Sequence, residues 1–209
     1  MKIVVFGGTG GTGTEVVKQA LAADHDVLVM ARTPEKVRLV DHLAVQKGDI
    51  MDAEDVASAI QGVDAVISTF GPADNKHPGT IMSDGVRNII AGCVQHSVKR
   101  FVFESGLMCS SGEELGMVSR LGTKAFGWMY SALRDDKRIA EKAIADSALD
   151  WVIVRPPGLS HKPATGKYVT GVRRAVNATK LVPHADVAHF LLSCASDASV
   201  VRTIQNIGC

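Results

Sequence analysis

The chain has 209 residues, 46% of them hydrophobic, and a formal net charge of +1, which is length for one substantial core and too little for two domains. Lys and Arg are scattered, so no nucleic-acid or membrane partner is expected, and no run of about 18 apolar residues marks a membrane span. Cys93, Cys109, Cys194 and Cys209 lack metal-type spacing and read as free thiols of a reducing, cytoplasmic compartment, while residues 1 to 15 read as entering the fold at once, so no signal peptide is expected.

Lys2 to Phe6 is an apolar, β-branched run of strand length that leads directly into Gly7-Gly8-Thr9-Gly10-Gly11-Thr12-Gly13. Val16, Val17, Ala20 and Leu21 then recur at helical spacing, predicting a helix over 12 to 23. Glycines held between a strand and a helix form a dinucleotide fingerprint rather than an ordinary turn. In that pattern Gly7 permits the tight turn, Gly10 lets a pyrophosphate approach and Gly13 lets the helix pack on the sheet. Thr9, Gly11 and Thr12 complete the turn, and the first amides of the helix face the phosphate.

A second strand over 26 to 30 ends in Ala31-Arg32-Thr33-Pro34-Glu35-Lys36. NAD-specific proteins place a carboxylate near this point, whereas an arginine accommodates a 2′-phosphate. Arg32 and the Thr33 hydroxyl therefore favour NADPH over NADH, with a solvent-facing arginine as the other reading; Lys36 reads as surface. A third strand, Leu43 to Lys47, leads to Asp49, placed either for the adenine amino group or as a cap on the approach to the next helix. That helix spans about 52 to 61 with Asp52 as its N-cap.

A strongly apolar fourth strand over 63 to 69 stops at Gly71-Pro72, so Ser68, Thr69, Phe70 and Gly71 pass beside the nicotinamide half of the cofactor. A helix over 80 to 95 precedes the fifth strand, Arg100 to Glu104. Ser105, at the end of that strand, either orients the carboxamide or the acceptor, as the one candidate catalytic side chain, or is a plain strand-end hydroxyl.

From 105 to 123 four glycines and little periodicity suit a mobile loop. Leu107, Met108, Met117, Phe126, Trp128 and Met129 are apolar enough to cover a ring system or to pack the loop down. A helix over 131 to 147 carries Lys137 and Lys142, read as surface residues, and leads to a sixth strand over 151 to 154. Arg155 then either reaches a phosphate or an acidic acceptor, or forms a strand-end salt bridge. Residues 158 to 180 are irregular, a helix over 185 to 195 follows His184, read as a proton donor or a cap, and a strand near 202 to 207 closes the chain. Apolar strands alternating with amphipathic helices predict one α/β Rossmann domain over 1–209, its mainly parallel sheet covered on both faces.

Gly7, Gly10 and Gly13 stand three and three apart, which resembles the atypical short-chain dehydrogenases related to NmrA-like proteins. Over the whole length the chain is similar to the NADPH-dependent flavin reductase, or biliverdin-IX-beta reductase, family. The likeness rests on residues 2–13 and 80–90, Asp135-Asp136, Pro156-Pro157, Thr165-Gly166-Lys167-Tyr168 and Val187-Ala188-His189-Phe190. It implies a protein, usually monomeric though a dimer stays open, that passes hydride from NADPH to a flavin, a quinone or a similarly planar acceptor. It also counts Pro156 with the cofactor site and places Gly106 beside cofactor and substrate, where the family carries a second hydroxyl. Ordinary short-chain dehydrogenases use Tyr-x-x-x-Lys; Lys137 fits the lysine, but Leu133 stands at the tyrosine position. The other class open to the chain is an NADPH-binding sensor with little turnover.

Overall fold

The computed structural model describes residues 1–37 and 41–209. Five strands, β1 (Lys2–Phe6), β2 (Asp26–Ala31), β3 (Leu43–Lys47), β4 (Ala65–Ser68) and β5 (Arg100–Glu104), alternate with α1 (Gly11–Ala22), α2 (Ala53–Ile60) and α3 (Ile81–Gln95). Next come α4 (Met117–Met129), α5 (Ser131–Ala145), β6 (Asp150–Arg155), β7 (Leu159–Ser160), β8 (Val169–Val172), β9 (Val182–Pro183), α6 (His184–Cys194) and β10 (Thr203–Gly208). The main sheet runs β3-β2-β1-β4-β5-β6-β10-β8. Every pairing in it is parallel except β10 with β8, which is antiparallel. The fold is the expected Rossmann α/β sheet. Its strand order reverses between β1 and β4, so the turns after these strands flank the crevice where such sheets hold ligands.

Alternate residues of each strand feed two cores. Val4, Phe6, Val66, Phe101, Phe103 and Ile153 meet Val56 of α2, Val86 and Ile89 of α3 and Ile144 of α5. Ile3, Val5, Ile67, Val102 and Val154 meet Val16 and Ala20 of α1 and Val187 and Leu191 of α6. Burying side chains on both faces explains why the central strands read as unbroken apolar runs. Asp52 caps α2 as its sequence suggests, accepting from Glu54 N at 2.9 Å and Asp55 N at 3.1 Å.

Two stretches depart from expectation. The segment from 105 to 123 holds a 3-10 turn, Leu107–Cys109, and the first half of α4, so it is not a plain loop. α4 turns only Ser119, Thr123 and Gly127 inward; without an apolar stripe its periodicity is silent. Residues 158 to 180 contain β7 and β8, and β8 adds an antiparallel edge to the sheet.

Candidate functional site

The chain leaves β1 through Gly7, whose φ of 86° lies in the left-handed region that glycine occupies without strain. A Cβ on Gly7 would sit 2.5 Å from Phe70 N, so the turn after β4 packs directly on it. Gly10 N donates to Gly7 O at 3.0 Å and closes the turn. A Cβ on Gly13 would sit 2.1 Å from Gly7 O and 2.7 Å from Thr69 Oγ1, whereas one on Gly10 would meet nothing nearer than Gly7 O at 3.4 Å. Gly13 is thus filled by the fold, and Gly10 faces open space. α1 starts at Gly11 with no side-chain cap and no acid in its first turn, leaving its first amides and dipole to an anion. This cradle fits a pyrophosphate.

Gly7, Thr9, Gly10, Arg32, Thr69, Phe70 and Gly71 line one groove of about 180 Å³, together with Met30, Gly48, Ile50 and Ile81. Seven of the residues singled out in the sequence are brought together there. Arg32 and Thr33 are exposed at the end of β2; the Lys36 side chain lies outside the described residues. Asp49 Oδ1 accepts from Met51 N at 3.0 Å while Asp49 N donates to Asp55 at 2.9 Å, as its cap reading expects. Ser68 is buried at the end of β4 with its hydroxyl unpartnered.

The ends of β5 and β6 form a second cluster. Ser105 is buried, donates to Cys109 Sγ at 3.6 Å, and accepts from Lys137 Nζ at 2.7 Å through its carbonyl. Lys137 is therefore no surface lysine: α5 aims it at the end of β5. Lys142 is exposed and pairs with Asp146 at 2.7 Å. Gly106 is extended, and a Cβ there would have Lys137 Nζ and Met108 Cγ as its nearest neighbours, both at 3.9 Å. The Pro156 carbonyl accepts from Leu107 N at 2.7 Å. Arg155 is held by both oxygens of the buried Glu141, at 2.9 and 2.5 Å, the salt bridge of its two readings. Leu107 and Met108 pack inward, but Met117, Phe126, Trp128 and Met129 stay exposed, so that half of the segment is not packed down.

Sequence reasoning passed over Glu104. It is buried beneath the glycine turn, where Thr12 Oγ1 donates to it at 3.0 Å. Thr12 Oγ1 also lies 2.9 Å from His184 Nδ1. Thr12 thus spends its hydroxyl inside the protein, and only its backbone amide remains to serve an anion. Burial pushes the Glu104 carboxyl up to about 7, against the opposing pull of Lys137 and Thr12. Burial, then the neighbouring His161, push His184 down. Gly11 lies so close to His184 that a Cβ would come within 2.7 Å of the ring. Beyond that ring opens a larger cleft of about 1030 Å³ between α1, α6 and residues 161–168, sharing Thr9 and Gly10 with the groove.

Residues 7–198 match the NAD(P)H-binding family. An uncharacterized chloroplastic protein of Arabidopsis thaliana is 31% identical over 180 residues, which is 80% of this chain and 62% of the relative's own length. The chain spans under half of two further curated relatives. Among solved structures, a short-chain dehydrogenase/reductase of Veillonella parvula in complex with NADP superposes with a TM-score of 0.82 at 14% identity, over 100% of this chain and 94% of that one. ChuY, an anaerobilin reductase of Escherichia coli O157:H7, gives 0.76 at 23% identity, over 99% and 96%. At these identities the structures show a shared fold.

Proposed function

The chain belongs to the NAD(P)H-binding family, and from that membership we propose that it is an NADPH-dependent reductase acting on a planar conjugated acceptor such as a flavin or quinone. The observation that carries the cofactor choice is Arg32 on the wall of the groove, at the end of β2. A guanidinium there meets a 2′-phosphate with a fork of donors, and a ribose hydroxyl gains less from it. The solved neighbour in complex with NADP supports the same choice.

In this reading Gly10 and the amides of Gly11, Thr12 and Gly13 take the pyrophosphate, with Gly7 and Thr9 shaping the turn. Arg32 and Thr33 take the 2′-phosphate, and Asp49 borders the adenine. Ser68, Thr69, Phe70 and Gly71 border the nicotinamide half, with Ser105, Gly106 and Pro156 at the acceptor end. Bound there, NADPH supplies a hydride to the acceptor. The protein's own part is to align two flat rings, which lowers the barrier without a covalent step.

The acceptor class follows from what α5 presents. Leu133 is buried at the position of the missing tyrosine, so no phenol is available to protonate a developing alkoxide. A flavin or quinone delocalises its charge and takes its proton from water. ChuY, of the same fold, is an anaerobilin reductase, which is consistent with a conjugated acceptor here.

Stopped-flow oxidation of NADPH against FMN, riboflavin, a quinone, a linear tetrapyrrole and a reactive diketone tests the proposal. Turnover of at least one conjugated acceptor with little or none of the diketone is expected. Efficient diketone reduction without any conjugated acceptor would overturn it. Tight NADPH binding with no turnover at all would assign the chain to sensing, the reading that Gly106 and Leu133 favour.

A further inference from the structure

The larger cleft meets the reading above only at Thr9, Gly10 and Gly11, the turn assigned to the pyrophosphate. Its floor is the first turn of α6, and its sides are α1 and residues 161–168. Three imidazoles, His161, His184 and His189, and two ammonium groups, Lys18 and Lys162, line it. Its two carboxylates are already engaged. Asp186 is buried and accepts from Thr165 N at 3.0 and 3.1 Å, Thr165 Oγ1 at 2.6 Å and Gly166 N at 3.0 Å. Glu15 lies 3.9 Å from Lys18. The bonds that Asp186 accepts also pin the loop that forms the outer side, so the cleft is built before any ligand arrives, and Lys162 is the rim ammonium that meets no carboxylate among the described residues, while Lys18 is shared with Glu15.

Its aromatic lining is as specific as its charge. The rings of His161 and His184 lie 4.7 Å apart and tilted by 41°, and Thr12 fixes His184 from below at 2.9 Å. Tyr168 and His189 form a second fixed pair, hydroxyl to Nδ1 at 2.6 Å. Imidazole faces suit a flat ring, and ammonium groups on the rim suit an acid group at its edge. A volume of about 1030 Å³ is ample for a drug-sized or cofactor-sized molecule.

We propose that this cleft is a second ligand site, distinct from the dinucleotide groove, which takes a planar organic anion with its ring against His161 and His184 and its acid group toward Lys18 and Lys162. The site goes beyond the reductase reading and does not depend on it. Its occupant would lie against Thr9 and Gly10, which also line the groove.

FMN and riboflavin, which share a ring and differ in a phosphate, are suitable probes in titrations made with saturating NADP⁺ to fill the groove. FMN is expected to bind without displacing NADP⁺ and about tenfold more tightly than riboflavin, as a charge-assisted contact gives. In the Lys18→Gln/Lys162→Gln double variant the two flavins should bind alike. Both lysines are exposed, so an unchanged melting temperature checks the fold of that variant. Competition between FMN and NADP⁺, equal affinities in the parent, a preference that survives the double variant, or no binding of either flavin would each overturn the site. NADPH oxidation is not read in this experiment, so loss of the reductase activity and loss of the site are separable.

Discussion

Thr12, inside the glycine turn, donates its hydroxyl to the buried carboxyl of Glu104 at 3.0 Å, across 92 positions of sequence. The first turn of α1 is thereby tied to the end of β5, and a buried carboxyl with a raised pKa lies under the turn. In the unfolded chain this carboxyl ionises near 4.5; in the folded chain it holds its proton to about 7. Its contribution to stability is therefore full below about pH 4.5 and is lost as pH rises to about 7, on the order of 3 kcal/mol in all. Glu104→Gln keeps an acceptor for Thr12 and removes the charge. Its melting temperature should match the parent near pH 5 and exceed it by several degrees at pH 8. Parallel pH profiles for the two proteins would contradict this.

Gly10 and Gly13 separate binding from folding. Gly10→Val should give a normally melting protein with little NADPH affinity, because its side chain would enter the open side of the turn. Gly13→Val should lower the melting temperature sharply, since even its Cβ would come within 2.1 Å of a backbone oxygen. Calorimetric melting and NADPH titration of both variants test the pair; normal melting and normal binding in both is the outcome that rejects it.

The proposed cofactor preference rests on Arg32. The parent should bind NADPH more tightly than NADH, and Arg32→Ala should weaken NADPH by about tenfold while sparing NADH. A charge-assisted contact is worth about 1.5–3 kcal/mol, and the exposure of Arg32 places the effect at the lower end. Equal dissociation constants in the parent would remove the basis for the preference.

Gly106 has room for a hydroxyl. With the nearest atoms 3.9 Å from a Cβ, one of them Lys137 Nζ, Gly106→Ser should fold normally and place a donor beside the acceptor end of the site. Steady-state turnover of riboflavin should rise severalfold, about the gain that one hydrogen bond gives. Reduction of a diketone should stay negligible, because Leu133 still supplies no acid. A fall in flavin turnover at unchanged stability would show the position is needed empty.

The sheet was legible because its central strands are buried on both faces and punctuated by glycine: β1 ends at Phe6, where its apolar run meets Gly7. The glycine turn was legible for the same reason, each glycine answering a different contact. Glu104 was not, because a carboxylate at a strand end reads as solvent-facing, and its burial depends on a helix 92 residues earlier. Lys137 was misread because helical spacing shows which face a residue shares, and not that the face abuts a strand end. Arg155 had two readings, and its partner, Glu141, lies on α5, a neighbouring element that sequence spacing does not bring to the strand end. α4 escaped notice because its inward residues are serine, threonine and glycine.

That last choice of residues has a kinetic consequence. A helix seated on Ser119, Thr123 and Gly127, with Trp128 79% and Met117 78% exposed, buries little hydrocarbon of its own. Local opening free energy scales with what an opening exposes, so α4 separates at less cost than α1 or α6. Its amides should exchange with deuterium well ahead of those in α1 and α6, which bury Val16, Ala20, Val187 and Leu191 against the sheet. Entry and exit at the neighbouring strand ends can then proceed by undocking one helix while the Rossmann core stays closed.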